Sequence, residues 1–210
     1  MTGIIDYGVG NLFSLCCSFA FIGEEALVSG DRAELSRCDR ILLPGVGAFA
    51  DAAQKLRDSG LDDFVRETAS RGKPLLGICL GMQLLFEKSY EFGEYEGLGL
   101  LRGNIVPIPD QDRTLKIPQI GWNALHFPKD KPKSPLFRDV NEGDCVYFVH
   151  SFYATDCDDS VSATTEYGIE LTAAAEKGSV FGTQFHPEKS GKVGLSILRA
   201  FCALDLGGIL

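Results

Sequence analysis

Apolar residues in the first two-thirds of the chain form two kinds of pattern: short unbroken runs, and longer stretches with a helical period. Leu12, Leu15 and Phe19, for example, recur on one face of a helix. The two patterns alternate, and they predict strands at residues 3–6, 40–43 and 74–78 and helices at residues 11–22, 49–59, 62–71 and 80–88. An order of strand, helix, strand, helix is typical of a parallel sheet covered on both faces.

Closely spaced strand patterns replace this alternation after about residue 97, and a closing helix is predicted at residues 191–204. The clearest strand patterns lie at residues 144–153, 160–166, 171–176 and 179–186, and we interpret them as antiparallel additions and returning strands of the same sheet. Five of the nine prolines fall in residues 107–133, which predicts mostly loop and edge. No repeat or linker is visible, so we expect one α/β domain over residues 1–210, with a mixed, mostly parallel central sheet flanked by helices.

Composition and charge narrow the possible partners. A chain of 210 residues that is 45% hydrophobic is long enough to bury a substantial core as one domain. Its net charge of -9 opposes binding to nucleic acid or to an anionic membrane surface. No run approaches the roughly 18 to 20 apolar residues of a membrane span, and no Lys or Arg precedes Asp6 as in a signal peptide. We therefore expect a cytoplasmic protein.

The seven cysteines are an odd number, and they are scattered along a chain that is long enough to fold without disulfide bonds. Both facts argue against a disulfide framework. No Cys-x-x-Cys pair occurs, so a structural zinc site is not expected, and we expect no metal site or cofactor. A buried cysteine commonly behaves as a small apolar residue. A functional cysteine must therefore be identified from its local sequence.

Cys79 is the cysteine whose neighbouring residues suggest a function. Gly77, Cys79 and Gly81 form a Gly-x-Cys-x-Gly motif at a predicted strand-to-helix junction, the cysteine version of a nucleophile elbow. A tight turn there holds the central side chain at the end of the sheet, and glycines avoid a collision with the turn. The start of the following helix favours thiolate over thiol. A buried core thiol is the alternative interpretation of this motif alone.

A cysteine nucleophile needs a base, and the chain has three histidines. His126 lies in a loop-like stretch, and His150 lies inside an apolar strand, where a core histidine with a backbone partner is the better interpretation. His186 ends a strand and precedes Pro187 and Glu188. Because proline disfavours helical geometry in the residue before it, the chain should stay extended and direct residues 186 and 188 to one side. This arrangement supplies a base and a carboxylate that orients it, although a surface turn would explain the tripeptide equally well in isolation.

Attack on a carbonyl also requires donors for the oxyanion. Leu80 offers a backbone N–H after Cys79, and the loop at residues 44–47, Pro-Gly-Val-Gly, could offer a second. Glycines in a tight turn are weak support by themselves. The Gly-Val-Gly at residues 8–10 has no phosphate-binding fingerprint around it.

Residues 77–83, Gly-Ile-Cys-Leu-Gly-Met-Gln, and residues 185–190, Phe-His-Pro-Glu-Lys-Ser, resemble the class I, triad-type glutamine amidotransferases. Within this class the chain is similar to the glutaminase subunits of imidazole glycerol phosphate synthase. The additional matches extend over nearly the whole chain and lie at residues 6–11, 43–49, 120–123 and 147–151. The resemblance implies a flavodoxin-like α/β fold and no cofactor.

The resemblance also implies roles for individual residues. Cys79 would be the nucleophile, His186 the general base and acid, and Glu188 the residue that orients His186. The positions that match the glutamine-binding site are Gln83, Glu91, His150 and Ser151. Val46 and Leu80 would supply the oxyanion hole, with Val46 a donor only after a peptide rearrangement, so that the resting enzyme is poorly active.

A partner subunit is implied in the same way. Asn11, Trp122, Tyr147 and Lys189 match positions at or near the interface with the cyclase, a barrel subunit that would form a heterodimer with this chain and receive its ammonia. Three alternatives remain open. They are a paralogue that supplies a surface-sugar amidating enzyme, a cysteine hydrolase or chaperone-like relative with the same elbow, and a catalytically idle binding subunit.

Overall fold

The computed structural model describes residues 1–109 and 115–204. Its strands are β1 (Thr2–Ile5), β2 (Ala26–Ser29), β3 (Arg40–Leu43), β4 (Leu75–Ile78), β5 (Lys88–Ser89), β6 (Tyr95–Glu96), β7 (Asn104–Pro107), β8 (Gln119–Ala124), β9 (Cys145–His150), β10 (Phe152–Thr155), β11 (Val161–Tyr167), β12 (Ile169–Lys177) and β13 (Val180–Thr183). Its helices are α1 (Leu12–Phe21), α2 (Arg32–Ser36), α3 (Phe49–Asp58), α4 (Leu61–Ser70), α5 (Leu80–Leu84) and α6 (Gly191–Cys202). Short 3-10 turns cover Pro135–Phe137 and Pro187–Lys189.

A seven-stranded sheet with the order β11-β12-β13-β4-β3-β1-β2 forms the centre of the molecule. The pairs from β13 through β4, β3 and β1 to β2 are parallel, and β11 and β12 add to the edge in antiparallel pairs. The predicted α/β class with a mixed, mostly parallel sheet is thus confirmed. This order places the carboxyl ends of β3, β4 and β13 side by side, and the site described below lies there.

Both faces of the central sheet are buried under helices, which explains why its inner strands are unbroken apolar runs. In β1 the side chain of Ile5 joins a cluster that includes Phe49 of α3 and Phe64 of α4. The preceding residue, Ile4, points to the opposite face and joins a cluster that includes Phe19 of α1. Adjacent residues of one strand therefore support two separate core layers.

Two predicted elements end differently in the structure because of long-range contacts, and a third, the strand expected at residues 179–186, stops at Thr183. The helix expected at residues 80–88 stops at Leu84, because the amide of Glu87 donates to the carbonyl of Gly103 and the chain enters β5. The strand expected at residues 144–153 is divided at Ser151 into β9 and β10. Periodicity alone missed both ends because long-range backbone hydrogen bonds set them.

The three later strand patterns, β11, β12 and β13, join the central sheet as expected, but the strands on either side of the break at Ser151 do not, so this part of the expectation was wrong. Among the described residues, β9 pairs with β8 in a two-stranded ribbon, and β10 belongs to a four-stranded sheet with the order β10-β7-β5-β6. The segment at residues 107–133 contains β8, a regular strand where mostly loop and edge were expected, while residues 110–114 of it lie outside the described residues. Both small sheets flank the end of the central sheet that carries Cys79.

Some expectations concern the chain as a whole. Within residues 1–109 and 115–204, no helix is long and apolar enough to cross a membrane. The same ranges contain no group of three or more His, Cys, Asp or Glu side chains that could hold a metal ion. The single domain over residues 1–210 stays a prediction, and residues 205–210 lie outside the described part of the chain.

Candidate active site

Cys79 occupies the turn between β4 and α5 with φ of 54° and ψ of -112°, a left-handed conformation that residues other than glycine rarely adopt. A Cβ added to Gly81 would lie 1.9 Å from the carbonyl oxygen of Leu43 in the neighbouring strand. One added to Gly77 would lie 2.7 Å from the carbonyl oxygen of Gly81. The two glycines thus permit a close fit that fixes the cysteine at the sheet edge.

His186 and Glu188 meet directly beside this turn. His186 follows β13, which pairs with β4, and its Nδ1 lies 2.7 Å from Oε1 of Glu188. The side chains are 3% and 2% exposed, so the pair is shielded from solvent. His186 itself is extended, but Pro187–Lys189 forms a 3-10 turn rather than the extended segment expected from the sequence. The turn, not a continued strand, brings the carboxylate to the imidazole.

The electrostatics of His186 depend on Cys79 and Glu188. Burial alone lowers its pKa, but interactions with Cys79 and then with Glu188 outweigh burial and raise the pKa to about 9. Nε2 of His186 has no hydrogen-bond partner among the described residues, and neither does Oε2 of Glu188. The imidazole is therefore held on its Nδ1 side and open on the other, as a residue that transfers protons must be.

A cavity of about 390 Å³ opens in front of Cys79 and His186. Its volume is in the range of small-molecule sites. The predicted site residues that line it are Val46, Cys79, Leu80, Gln83, Glu91, His150, Ser151, His186 and Lys189. The structure therefore gathers residues from five separate stretches of sequence around one space.

The other two histidines have different surroundings. Burial lowers the pKa of His150 to about 4, its Nδ1 donates to the carbonyl of Phe152 at 2.8 Å, and its Nε2 lies 2.9 Å from Gln119. Because both ring nitrogens have partners, His150 is not free to act as a base. His126 is exposed and pairs with Glu142, and it lines a different cleft. These contacts leave His186 as the histidine with an available ring nitrogen in the cavity.

The loop at residues 44–47 is anchored at its two ends. Before it, the phenol of Tyr7 donates to the carbonyl of Pro44 at 2.8 Å. Burial, with a smaller contribution from Cys79, raises the pKa of Tyr7 and keeps this donor protonated. After it, the amide of Phe49 donates to Oε2 of Glu91 at 2.5 Å. Val46, between the anchors, is 41% exposed.

The family model for class-I glutamine amidotransferases matches residues 9–203 of this chain. The chain belongs to the class-I glutamine amidotransferase family. "Imidazole glycerol phosphate synthase subunit HisH" of Geobacillus thermodenitrificans is 49% identical over 99% of this chain and 97% of its own length. The protein of the same name from Wolinella succinogenes is 49% identical over 97% of this chain and 100% of its own.

Solved structures agree on the fold of this amidotransferase. A crystal structure titled as a glutamine amidotransferase superposes with a TM-score of 0.73 at 20% identity, covering 99% of both chains. A structure titled as PurLQS from Thermotoga maritima gives a TM-score of 0.73 at 21% identity over 96% of both chains. At these identities the likeness concerns the fold alone.

Three of the four predicted interface residues form one group on the amidotransferase surface. Trp122 and Tyr147 are paired across β8 and β9, where their rings meet edge-on with centroids 6.0 Å apart, and Nζ of Lys189 lies 5.9 Å from the centroid of the Tyr147 ring. Trp122 is 54% exposed. Asn11 lies on a separate element, where its side chain caps α1 by accepting from the amide of Ser14.

Sequence reasoning missed Gln184 in this amidotransferase. Its side chain is completely buried, and its Nε2 lies 3.7 Å from Sγ of Cys79. A glutamine inside the apolar run that leads to His186 was a visible signal, since a buried amide must have hydrogen-bond partners. Tyr7 was also missed, because a loop tyrosine gives no hint of a partner 37 residues away.

Proposed function

We propose that the chain is the glutaminase subunit of imidazole glycerol phosphate synthase, hydrolysing glutamine through Cys79, His186 and Glu188 and delivering ammonia to the cyclase subunit. The observation that carries the proposal is a cysteine in a strained elbow beside a buried, carboxylate-bound imidazole, both facing one cavity. The near full-length identity to relatives named as subunit HisH supports the same assignment and connects it with histidine biosynthesis.

In the first half-reaction the Cys79 thiolate attacks the side-chain amide carbon of glutamine. A carbon–sulfur bond forms while the carbonyl electrons move onto oxygen. The protonated His186, whose pKa is raised to about 9, then gives its Nε2 proton to the amide nitrogen. The carbon–nitrogen bond breaks, ammonia leaves, and a γ-glutamyl thioester remains on Cys79.

In the second half-reaction a water molecule attacks the thioester. His186, now neutral, takes a proton from the water, the carbon–sulfur bond breaks, and glutamate leaves with the thiolate restored. Glu188 keeps the imidazole oriented in both steps through its contact with Nδ1. It exchanges no proton itself.

Two backbone amides would stabilise the oxyanion. Leu80 is the first residue of α5, where N–H groups have no partner within the helix and remain available to a ligand. Val46 lines the same cavity as Leu80. Gln83, Glu91, His150 and Ser151 would hold the glutamine, although Glu91 also caps α3 through the amide of Phe49. Its second role ties the glutamine site to the oxyanion loop.

The ammonia acceptor would be the cyclase subunit, a barrel that forms a heterodimer with this chain. The exposed ring of Trp122, with Tyr147 and Lys189 behind it, offers a docking surface that continues into the cavity, because Lys189 lines both. Asn11 on α1 would extend that surface. This continuity gives ammonia a short way from Cys79 to the partner.

Replacing the nucleophile tests the proposal. Cys79→Ala in the complex should abolish glutamine-dependent synthase turnover while turnover with ammonium salt persists, because the cyclase chemistry belongs to the partner. Cys17→Ala is the matched control, since that thiol is exposed and free. Glutamine-dependent turnover that survives in Cys79→Ala refutes the proposal. Activity with a sugar-amidating partner but not with the cyclase would refute the choice of partner alone.

A further inference from the structure

A buried glutamine links the candidate nucleophile to the glutamine pocket. Gln184 is 0% exposed, its Nε2 lies 3.7 Å from Sγ of Cys79, and its Oε1 accepts from Nε2 of Gln83 at 3.0 Å. Gln83 lines the cavity and donates a second hydrogen bond to the carbonyl of Phe152 at 3.2 Å. The two amides therefore form a continuous chain from Phe152 to Cys79.

The direction of this chain follows from its far end. A backbone carbonyl only accepts hydrogen bonds, so the group of Gln83 that faces Phe152 must be its NH2. The same NH2 faces Gln184, which must then present its carbonyl oxygen. The remaining end of the Gln184 amide, its NH2, consequently points at Cys79 as a donor. The Phe152 carbonyl thus fixes the orientation of the Gln184 amide, although Gln83 lies between the two groups.

Cys79 has a second polar neighbour with the opposite preference. Its Sγ lies 3.9 Å from the carbonyl of Val149, which can accept from a thiol but repels a thiolate. The Gln184 NH2 stabilises the thiolate and gains little from the thiol. Of these two contacts of Cys79, the one with the buried side chain of Gln184 favours the thiolate, which is the reactive form.

We infer that Gln184 is a positioning residue, whose side-chain NH2 stabilises the Cys79 thiolate and aligns it with Gln83 at the glutamine pocket. The inference rests on the proposed function, because it concerns the nucleophile of that reaction. Its effect is separate from that of His186, since the amide has no charge and exchanges no proton.

The test replaces the donor while keeping the shape. Gln184→Glu retains an oxygen that accepts from Gln83 but presents a second oxygen to Cys79, and Gln184→Met removes both hydrogen bonds at similar volume. The readout is the rate of iodoacetamide labelling of Cys79 against pH, measured by peptide mass spectrometry. The exposed Cys17 and Cys145 in the same sample serve as internal controls. We expect the Cys79 midpoint to rise by about one to two pH units in both variants, with the control thiols unchanged.

A measurement on the unaltered chain does not depend on the variants folding. The side-chain NH2 resonances of Gln184 should shift with pH at the midpoint of Cys79 labelling, and this titration should vanish in Cys79→Ala. Absence of the titration in the wild-type chain, or an unchanged labelling midpoint in a folded variant, overturns the inference.

Turnover separates the inference from the proposed function. In complex with the cyclase, Gln184→Met should lower glutaminase kcat by about ten- to a hundredfold, corresponding to one hydrogen bond to a charged group, and Gln184→Glu, which places an oxygen against the thiolate, should lower it at least as much. An inactive wild-type complex would refute the proposed function. An active wild-type complex with an equally active Gln184→Glu would refute only the role of Gln184.

Discussion

The nucleophile elbow at Cys79 and the loop at residues 44–47 follow adjacent parallel strands and line one cavity, yet they are built in opposite ways. Around Cys79 the chain is so tightly packed that no side chain fits at Gly77 or Gly81. In the loop at residues 44–47, Tyr7 and Glu91 hold the two ends, and Gly45 packs so closely against the elbow that an added Cβ would lie 2.7 Å from the amide nitrogen of Gly81. Gly47 has a φ of +94° and no neighbour within 4 Å of an added Cβ.

This difference separates two requirements of the reaction. The nucleophile must be in place before glutamine arrives, so strain is held there by dense packing. A donor that waits for a signal needs room to turn, and Gly47 after Val46 provides it, because an added Cβ there meets no neighbour, whereas Gly45 holds the start of the loop against the elbow. A rigid half and an adjustable half therefore suit a glutaminase that responds to its partner.

A glycine-to-alanine substitution in the elbow and one in the loop at residues 44–47 should differ most in their effects on stability and turnover. Gly81→Ala places a methyl group 1.9 Å from the Leu43 carbonyl, so we expect loss of folded protein or of all glutaminase activity. Gly47→Ala meets no neighbour, and only its positive φ opposes it, at a cost of about 1 kcal/mol. Thermal unfolding and turnover of the two variants measure this contrast. Equal tolerance at both positions would contradict the rigid elbow.

Glu188→Gln removes the orienting charge without removing the side chain. We expect glutaminase kcat to fall by about three to four orders of magnitude, as in triads that lose the orienting carboxylate. The pKa of His186 should also fall, because Glu188 helps to raise it to about 9. Kinetics and an NMR titration of His186 provide the two readouts. A nearly fully active variant would leave Glu188 a structural residue.

The adjustable loop at residues 44–47 predicts that the rate of glutamine hydrolysis depends on the partner. The isolated chain should release glutamate about a hundred- to a thousandfold more slowly than the complex in which the cyclase subunit has its own substrate bound, the effect of one missing oxyanion donor. Glutamate release by the chain, by the complex and by the liganded complex would be compared. A free chain as fast as the liganded complex would exclude a switch in the loop.

Tyr7→Phe is the mildest way to loosen the loop. It removes the hydrogen bond to the Pro44 carbonyl and keeps the ring, so a few-fold change in the activation ratio between free chain and complex is expected. Glu188→Gln offers the comparison, since it should lower both rates together. The two variants would be distinguished by measuring basal and activated rates side by side. An unchanged ratio in Tyr7→Phe would remove Tyr7 from the control of the loop.

The parts of this fold that could be predicted are those that a local pattern specifies. β1, β3 and β4 were located to within one residue because strands buried on both faces are unbroken apolar runs. The prediction of a helix through Lys88 failed because Leu85 and Phe86 continue the apolar pattern, whereas the amide of Glu87 finds its partner at Gly103. β5 and β6 have two residues each, too few for any period to appear.

The candidate site also contains some residues that a local sequence pattern reveals and others that only the folded structure reveals. The residues around Cys79 and His186 belong to motifs whose spacing has a steric or electrostatic reason, and sequence alone singled them out. Gln184 and Tyr7 act through contacts across 105 and 37 residues, respectively, and no spacing rule reveals such pairs. Only the fold indicates which amide faces the thiol.

Strand β9 has a consequence for how this protein changes in evolution. Tyr147 belongs to the exposed aromatic group, while two and three residues later the Val149 carbonyl touches Cys79 and His150 lines the cavity. One short strand therefore serves the surface and the pocket at once. In evolution we therefore expect changes at the surface end of β9 to be accompanied by changes in the pocket, because both ends share one short strand.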